Sequence, residues 1–537
     1  MGDKAKLLLL CLLPLAGAPA QHAHNTSGEK PPVLLEGMGT HRHSIATRVT
    51  EAQQFFDQGL NLLYGFNRYE AFRSFRRAAE LDPQAVMPRW GMAMAQGPHV
   101  NMDLDGDVNM KASCEAVQQG MALRANAPER ERAYIEAAAT RCPEYKPSEY
   151  QQAMRSVMQR YPDDLDAATF YVESLMIPVR WRWFLPDGKP AEGMEEAVQT
   201  LEAVMRRFPE HPGANHFYIH AIEMSPSPER AIPSAQRLMG IVPSAGHLVH
   251  MPGHIWMILG DWELAAATNE RGAEVDRQYM QTTGVTNSAY AGYYIHNLHF
   301  IAVARAMQGR MADGLRAADT LAGATVPHTE AMPMMVDAFA PAPIFAAMRF
   351  QRWDDLLKAK APDPRLPANT ALWHFGRASA LAAKGRRAEA AKEKAAFEAA
   401  RRKMPAEWMW LGNKASDVLA VAGAVLDARL APDDRAAIPH WQRAVELQDR
   451  LNYEEPPAWY YPVRESLGGA LLRAGRPADA EAVFREGNRR GPRNGRMLFG
   501  LMESLKAQNK ADSAGLVQRE FEKAWQRADI TLRVADL

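Results

Sequence analysis

"PERAIPSAQRLMGIVPSAGHLVHMPGHIWMILGDWELAAATNERGAEVD", residues 228–276, contains one helical plan twice, with the small anchor residues Ala231 and Ala265 set 34 positions apart. Ala197 lies another 34 before Ala231, and Ala480 and Ala514 repeat the interval near the other end. "YEAFRSFRRAAELDP" (69–83) and "PADAEAVFREGNRRGP" (477–492) follow the same plan. Ala71, Leu356, Ala390 and Ala437 fit it with varied spacing. No run of residues alternates apolar and polar in the manner of a strand, so the pattern predicts an all-α fold. A helical pair of this length cannot bury its apolar face alone. Stacked pairs share one continuous core and a curved surface, so a chain of 537 residues need not hold several unrelated domains.

The spacing and the small anchors resemble the tetratricopeptide repeat (TPR) family across most of residues 50–525. The resemblance implies a TPR-like α-solenoid of stacked antiparallel helical pairs. The anchor is then repeat position 20, helix A fills roughly the first 14 positions, and positions 2, 5, 9 and 12 of helix A line the concave groove. With the N-terminal residues read on their own composition, the chain divides into a signal peptide (1–20), an arm (21–50), a solenoid (51–340) whose residues 165–300 form a histidine-rich region, and C-terminal repeats (341–537).

Seven of the 16 histidines lie between residues 216 and 299. With Ala231 as position 20, His216, His220 and Glu223 fall at positions 5, 9 and 12. With Ala265, His247, His250 and His254 fall at 2, 5 and 9. With Gly314, His296 and His299 fall at 2 and 5. Offsets of three and four put each set on one side of its helix, and adjacent helices pack roughly 8–10 Å apart. The three sets should therefore converge. "DAATFYVESLM" (166–176) aligns with "GANHFYIHAIEM" (213–224), which matches Glu173 to His220 and leaves an insertion carrying "RWRWF" (180–184).

Clustered neutral imidazoles suit a transition metal. Seven histidines with Glu173 and Glu223 exceed one coordination sphere, so more than one ion is expected, the alternative being that some histidines support the ligands or contact substrate. Copper is preferred, with iron or zinc also compatible. Such a centre could activate oxygen or hydrolyse a bond, the former favoured, with Glu173 or Glu223 as ligand or general base. Arg180, Trp181, Arg182, Trp183, His99 and Tyr294 are candidate contacts for a small molecule or peptide. The alternative is a non-catalytic scaffold binding a peptide or protein partner in the groove. "PPAWYYPVRE" (456–465) reads as repeat packing, and the arm's "HAH" (22–24) and "HRH" (41–43) as adventitious pairs without a role.

Lys plus Arg and Asp plus Glu balance at 63 each, which gives no basic excess for nucleic acid. Lys4 and Lys6, the apolar Leu7–Leu15 and the small Ala18-Pro19-Ala20 predict a cleaved export signal, hence a periplasmic or secreted protein. No segment reaches the ~20 apolar residues of a membrane span. Export permits a disulfide between Cys114 and Cys142, which antiparallel neighbours would bring together.

Overall fold

The computed structural model describes residues 28–101, 108–185, 187–286 and 288–537. The predicted export signal and the "HAH" pair lie outside these residues. The fold is all-α. Antiparallel helical pairs follow one another as an α-solenoid, among them Thr50–Tyr64 with Arg68–Leu81, Pro367–Ala383 with Arg387–Arg402, and Gly495–Ala507 with Ala511–Trp525. Strand pairing among the described residues amounts to the hairpin Met409–Trp410 with Asn413–Lys414 and one bridge, Phe184–Pro190. No described helix is long and apolar enough to cross a membrane.

The repeat ruler has a physical basis. Ala71, Ala197, Ala231, Ala265, Ala390 and Ala480 are fully buried, and Leu356, Ala437 and Ala514 are at most 5% exposed. Five residues before an anchor, the chain leaves helix A through a left-handed residue. Gly260, Gly309, Gly385 and Gly475 occupy that place, and so do Asn509, Gln351 and Phe66, with φ from 54° to 74°. A left-handed residue ends a helix by turning its last carbonyls inward, and glycine does so without strain. Helix starts are capped by side chains, as Asn67, Asp164, His211, Asp261 and Asn494 accept first-turn N–H groups.

Both ends of the solenoid return to the middle repeats. The first helix packs on Pro212–Glu223. At the other end Trp262 Nε1 donates to the Arg493 carbonyl at 3.2 Å, and the Asp529 carboxylate accepts the Met311 and Ala312 N–H groups. The arm departs from its sequence reading as a segment outside the core. Residues 28–49 have no helix, yet Met38, His41 and Ile45 are buried. Ser244 N–H donates to the Gly37 carbonyl, and Leu35 N–H to the Gln58 side chain, which fixes the arm along the helices.

Cys114 and Cys142 are bonded, with Cα atoms 5.6 Å apart and a sequence separation of 28. In the chain-entropy picture a loop of that size stabilises by about 3–4 kcal/mol. The double variant Cys114→Ser/Cys142→Ser should lose about that much, read as a lower denaturant midpoint in the absence of reductant. An unchanged midpoint would show that the loop is already restrained without the bond.

Candidate metal centre

Three consecutive helix A elements carry the histidines. His216 and His220 stand one turn apart on Pro212–Glu223. His247 and His250 lie on Gly246–His250, and His254 on Pro252–Ile258. Pro252 has no N–H to donate, so the chain kinks between His250 and His254. His296 and His299 lie on Ser288–Met307.

The side chains meet as two adjoining groups. In the first, the ligating atoms of His216, His220 and His247 lie within 4.8 Å of one another, and in the second those of His250, His254 and His296 do. His247 and His250, with ring centroids 5.4 Å apart, join the groups on one side, and His220 and His254, at 5.6 Å, on the other. His216, His220, His247, His250 and His254 are at most 7% exposed. Burial pushes the imidazoles down, His220 to about 3, His250 to about 4, and His216, His247, His254 and His296 well below the ordinary range. All are neutral at neutral pH, the form that binds metal.

Hydrogen bonds fix the tautomers. His216 Nδ1 is 2.5 Å from the Tyr64 carbonyl, which can only accept, so this nitrogen carries the proton. His220 Nδ1 and His254 Nδ1 face opposite oxygens of one carboxylate, Glu223 Oε1 at 3.0 Å and Oε2 at 2.8 Å. His250 Nδ1 faces Asn269 Oδ1 at 2.6 Å, and Asn269 Nδ2 is already committed to the Ala265 carbonyl. Each of the four rings therefore presents a bare Nε2. Those of His216 and His220 are buried without a hydrogen-bond partner, as are both ring nitrogens of His247. In the second group His250 Nε2 and His254 Nε2 are 2.7 Å apart. Carbonyl or carboxylate partners on the far nitrogen are the usual support for a metal-bound imidazole.

Sequence reasoning missed Glu455, whose carboxylate contacts His254 Nδ1. It comes from a distant repeat, just before the stretch read as packing. Burial pushes Glu223 well above the usual range, and burial together with the Glu223 carboxyl does the same to Glu455. It also missed Asn269 and Phe66. The Phe66 ring lies 4.4 Å from His216, 5.0 Å from His247 and 6.0 Å from His220. Glycine is the common residue at the equivalent place of other repeats, and a phenylalanine with φ of 54° is strained. That mismatch between residue and repeat position is the signal the sequence carried.

Other expected members are placed elsewhere. Glu173 is not brought to the imidazoles: its buried carboxyl interacts with Arg68 and Arg141, because its helix lies one repeat before the histidines. His299 joins neither group and packs on Phe339 and Tyr460. Trp181 and Trp183 do cover His220, at 5.9 and 5.5 Å. Arg182 is exposed, and Arg180 and Tyr294 are half-buried. His99 is buried 6.2 Å from Phe66, with Nδ1 accepting the Asn101 N–H.

Asp276 lies behind the site, fully buried, accepting from Tyr290 Oη at 2.6 Å and Asn297 Nδ2 at 2.7 Å. Burial pushes it up from 3.8 to about 7. Between about pH 4 and 7 the unfolded chain gives up this proton while the folded chain keeps it. The stability it contributes is thus complete below pH 4 and lost as pH rises to 7, at up to about 1.4 kcal/mol per unit. Asp276→Asn should remove this slope, since Asn297 Oδ1 is free to accept from the new amide. Denaturant midpoints at pH 5 and pH 8 should then differ less in the variant than in the parent. An equal difference would rule the assignment out.

No known family profile matches the chain, and no curated protein sequence matches it. Among solved structures it is similar to yeast Tom70, at 12% identity over 87% of this chain and 90% of that one, with a TM-score of 0.27. It is also similar to human IFIT1, solved as a dimer with m7Gppp-AAAA, at 11% identity over 88% and 95%, with a TM-score of 0.33. The Cut9–Hcn1 hetero-tetramer of APC/C gives 11% identity, 89% and 90% coverage, and a TM-score of 0.27. At such scores these likenesses carry no argument, and the fold class stands on the helix pairs themselves. The chain is defined by what has been described: an α-solenoid enclosing a buried polyhistidine centre.

Proposed function

We propose that this protein is an exported metal-binding solenoid whose middle repeats hold two transition-metal ions. His216, His220 and His247 would take one, and His250, His254 and His296 the other. One observation carries the reading. His250 Nε2 and His254 Nε2 approach to 2.7 Å while the far nitrogen of each ring is already the protonated one. Two lone pairs at that distance repel unless a cation lies between them. Burial disfavours a proton there at neutral pH, so a metal cation is the group that fits. An all-imidazole set supports copper first, with iron or zinc next.

Bound copper or iron would supply redox chemistry with dioxygen. The protein's own part is to exclude water and to hold each imidazole in its metal-binding tautomer, with the Glu223 carboxylate accepting from His220 and His254 and Glu455 beside it. The burial of the centre supports a small reactant rather than a peptide, and oxidoreductase rather than hydrolytic chemistry. Metal analysis of protein purified from the periplasm tests the reading: transition metal should be present and should follow the six named histidines.

A second reading, a partner-binding scaffold, is favoured by a cavity of about 490 Å³ in the C-terminal repeats, lined by residues including Arg349, Arg429, Trp353 and Trp459. Native protein free of transition metal would leave this reading in place.

A further inference from the structure

Away from the groove, the arm's "HRH" meets the start of helix Leu165–Met176. Asp166 is 5% exposed, with Oδ2 2.8 Å from His43 Nδ1 and Oδ1 2.9 Å from His41 Nε2. Tyr64 Oη donates to Oδ1 at 2.6 Å, and His211 Nε2 lies 3.2 Å from it. Two residues earlier, Asp164 caps the helix. Its Oδ1 accepts the Ala167 N–H and the Tyr134 hydroxyl, both at 3.0 Å. Its other oxygen, Oδ2, is buried without a hydrogen-bond partner, and the residue is 6% exposed. The ligating atoms of His43, Asp164 and Asp166 lie within 4.8 Å of one another.

Hydrogen bonding sorts ligands from supports. His211 Nδ1 accepts the Ala214 N–H at 3.1 Å, so its Nε2 carries the proton. His211 Nε2 thus faces Asp166 Oδ1 at 3.2 Å outside hydrogen-bond geometry, whereas the Tyr64 hydroxyl donates to that oxygen. His41 engages the same oxygen. That leaves Asp166 Oδ2 and His43 Nδ1, 2.8 Å apart, with a carboxylate oxygen of Asp164 within 4.8 Å, two carboxylates and one imidazole. Asp57 holds the arm at this point by accepting the His43 backbone N–H at 3.1 Å. Two adjacent buried carboxylates with an orphaned oxygen are costly unless a cation offsets them.

We propose that His43, Asp164 and Asp166 form a second metal site, separate from the polyhistidine centre, that staples the N-terminal arm to the solenoid. Its oxygen-rich donors take a divalent cation of the zinc or manganese kind rather than copper. His41, His211 and Tyr64 position Asp166. The site shares no ligand with the groove and does not depend on the reading of the groove.

The test uses the full chain carrying His216→Ala and His250→Ala, titrated with Zn²⁺ and separately with Mn²⁺. This background should still take up one equivalent. Asp164→Asn added to it should lower that affinity at least 10–100-fold, while the helix start survives because asparagine is an equally good N-cap. Circular dichroism checks the fold, and His43→Gln gives an independent second loss. Trypsin reports on the arm, since Arg42 and Arg48 are exposed. Zn²⁺ at ten times its Kd should slow cleavage there about tenfold if it binds the docked arm alone. Equal uptake with and without Asp164→Asn and His43→Gln overturns the proposal. So does no uptake in the groove-variant background, or arm cleavage indifferent to both ions, which would make the contact a hydrogen-bonded latch only. Loss of metal in the groove variants with the arm equivalent retained supports both sites separately.

Discussion

If the histidine groups hold the two proposed ions, His250→Ala should release the ion of the second group and His216→Ala that of the first, with helical content nearly unchanged. Each substitution removes a direct nitrogen ligand, so the affinity lost should exceed the 10–100-fold that follows loss of an outer partner. His250→Ala should have the larger effect. It removes one of the two facing Nε2 atoms and frees Asn269 Oδ1 from its donor. The solenoid should persist because its core is built elsewhere, from the buried anchors and the apolar faces of the helix pairs. The measurement is metal content after purification, together with competition against a chelator of known affinity. If both variants hold metal as fully as the parent, the groove is polar packing and not a metal centre.

Glu223→Gln should weaken both groups at once. The carboxylate accepts from His220 Nδ1 through one oxygen and from His254 Nδ1 through the other. Glutamine offers one acceptor and one donor, so one ring meets an amide N–H. That ring must move its proton to Nε2, where it blocks the metal-binding atom. A loss of 10–100-fold is the usual size for such an outer-partner change. Glu455 contacts His254 directly and reaches the first group only through Glu223, so Glu455→Gln should weaken the second group more than the first. Stepwise chelator titration separates the two. Equal behaviour of Glu223→Gln and Glu455→Gln would show that Glu223 does not bridge the groups.

The repeat was legible because it is local. Ala231 and Ala265 must be small wherever helix B presses on helix A, and the 34-residue interval records that contact without knowledge of the rest of the chain. The histidine register was legible for the same reason. His216 with His220, and His250 with His254, are one turn apart, and side chains one turn apart share a face in any helix. The register overreached where it extended the pattern by analogy. Glu173 matches His220 by alignment, yet it sits one repeat earlier and meets Arg68 and Arg141 instead. His299 follows His296 by three residues, but its ring turns towards Phe339 and Tyr460.

By itself, then, the sequence determined the helical pairs, their stacking and the side on which the histidines stand, because each depends on residues within about 34 positions. Tertiary structure alone decided what surrounds those histidines. Glu455 reaches His254 only because the C-terminal repeats come back towards the middle ones. Phe66 and the Tyr64 carbonyl reach His216 only because the first helical pair packs on the helix Pro212–Glu223. The arm's His41 and His43 became partners of Asp166 because residues 28–49 lie across helices more than a hundred positions further on. Contacts between segments so far apart leave no periodicity to read. They are set by how the curved solenoid brings its ends onto its middle, and that curvature is a sum over every helix–helix interface in the chain.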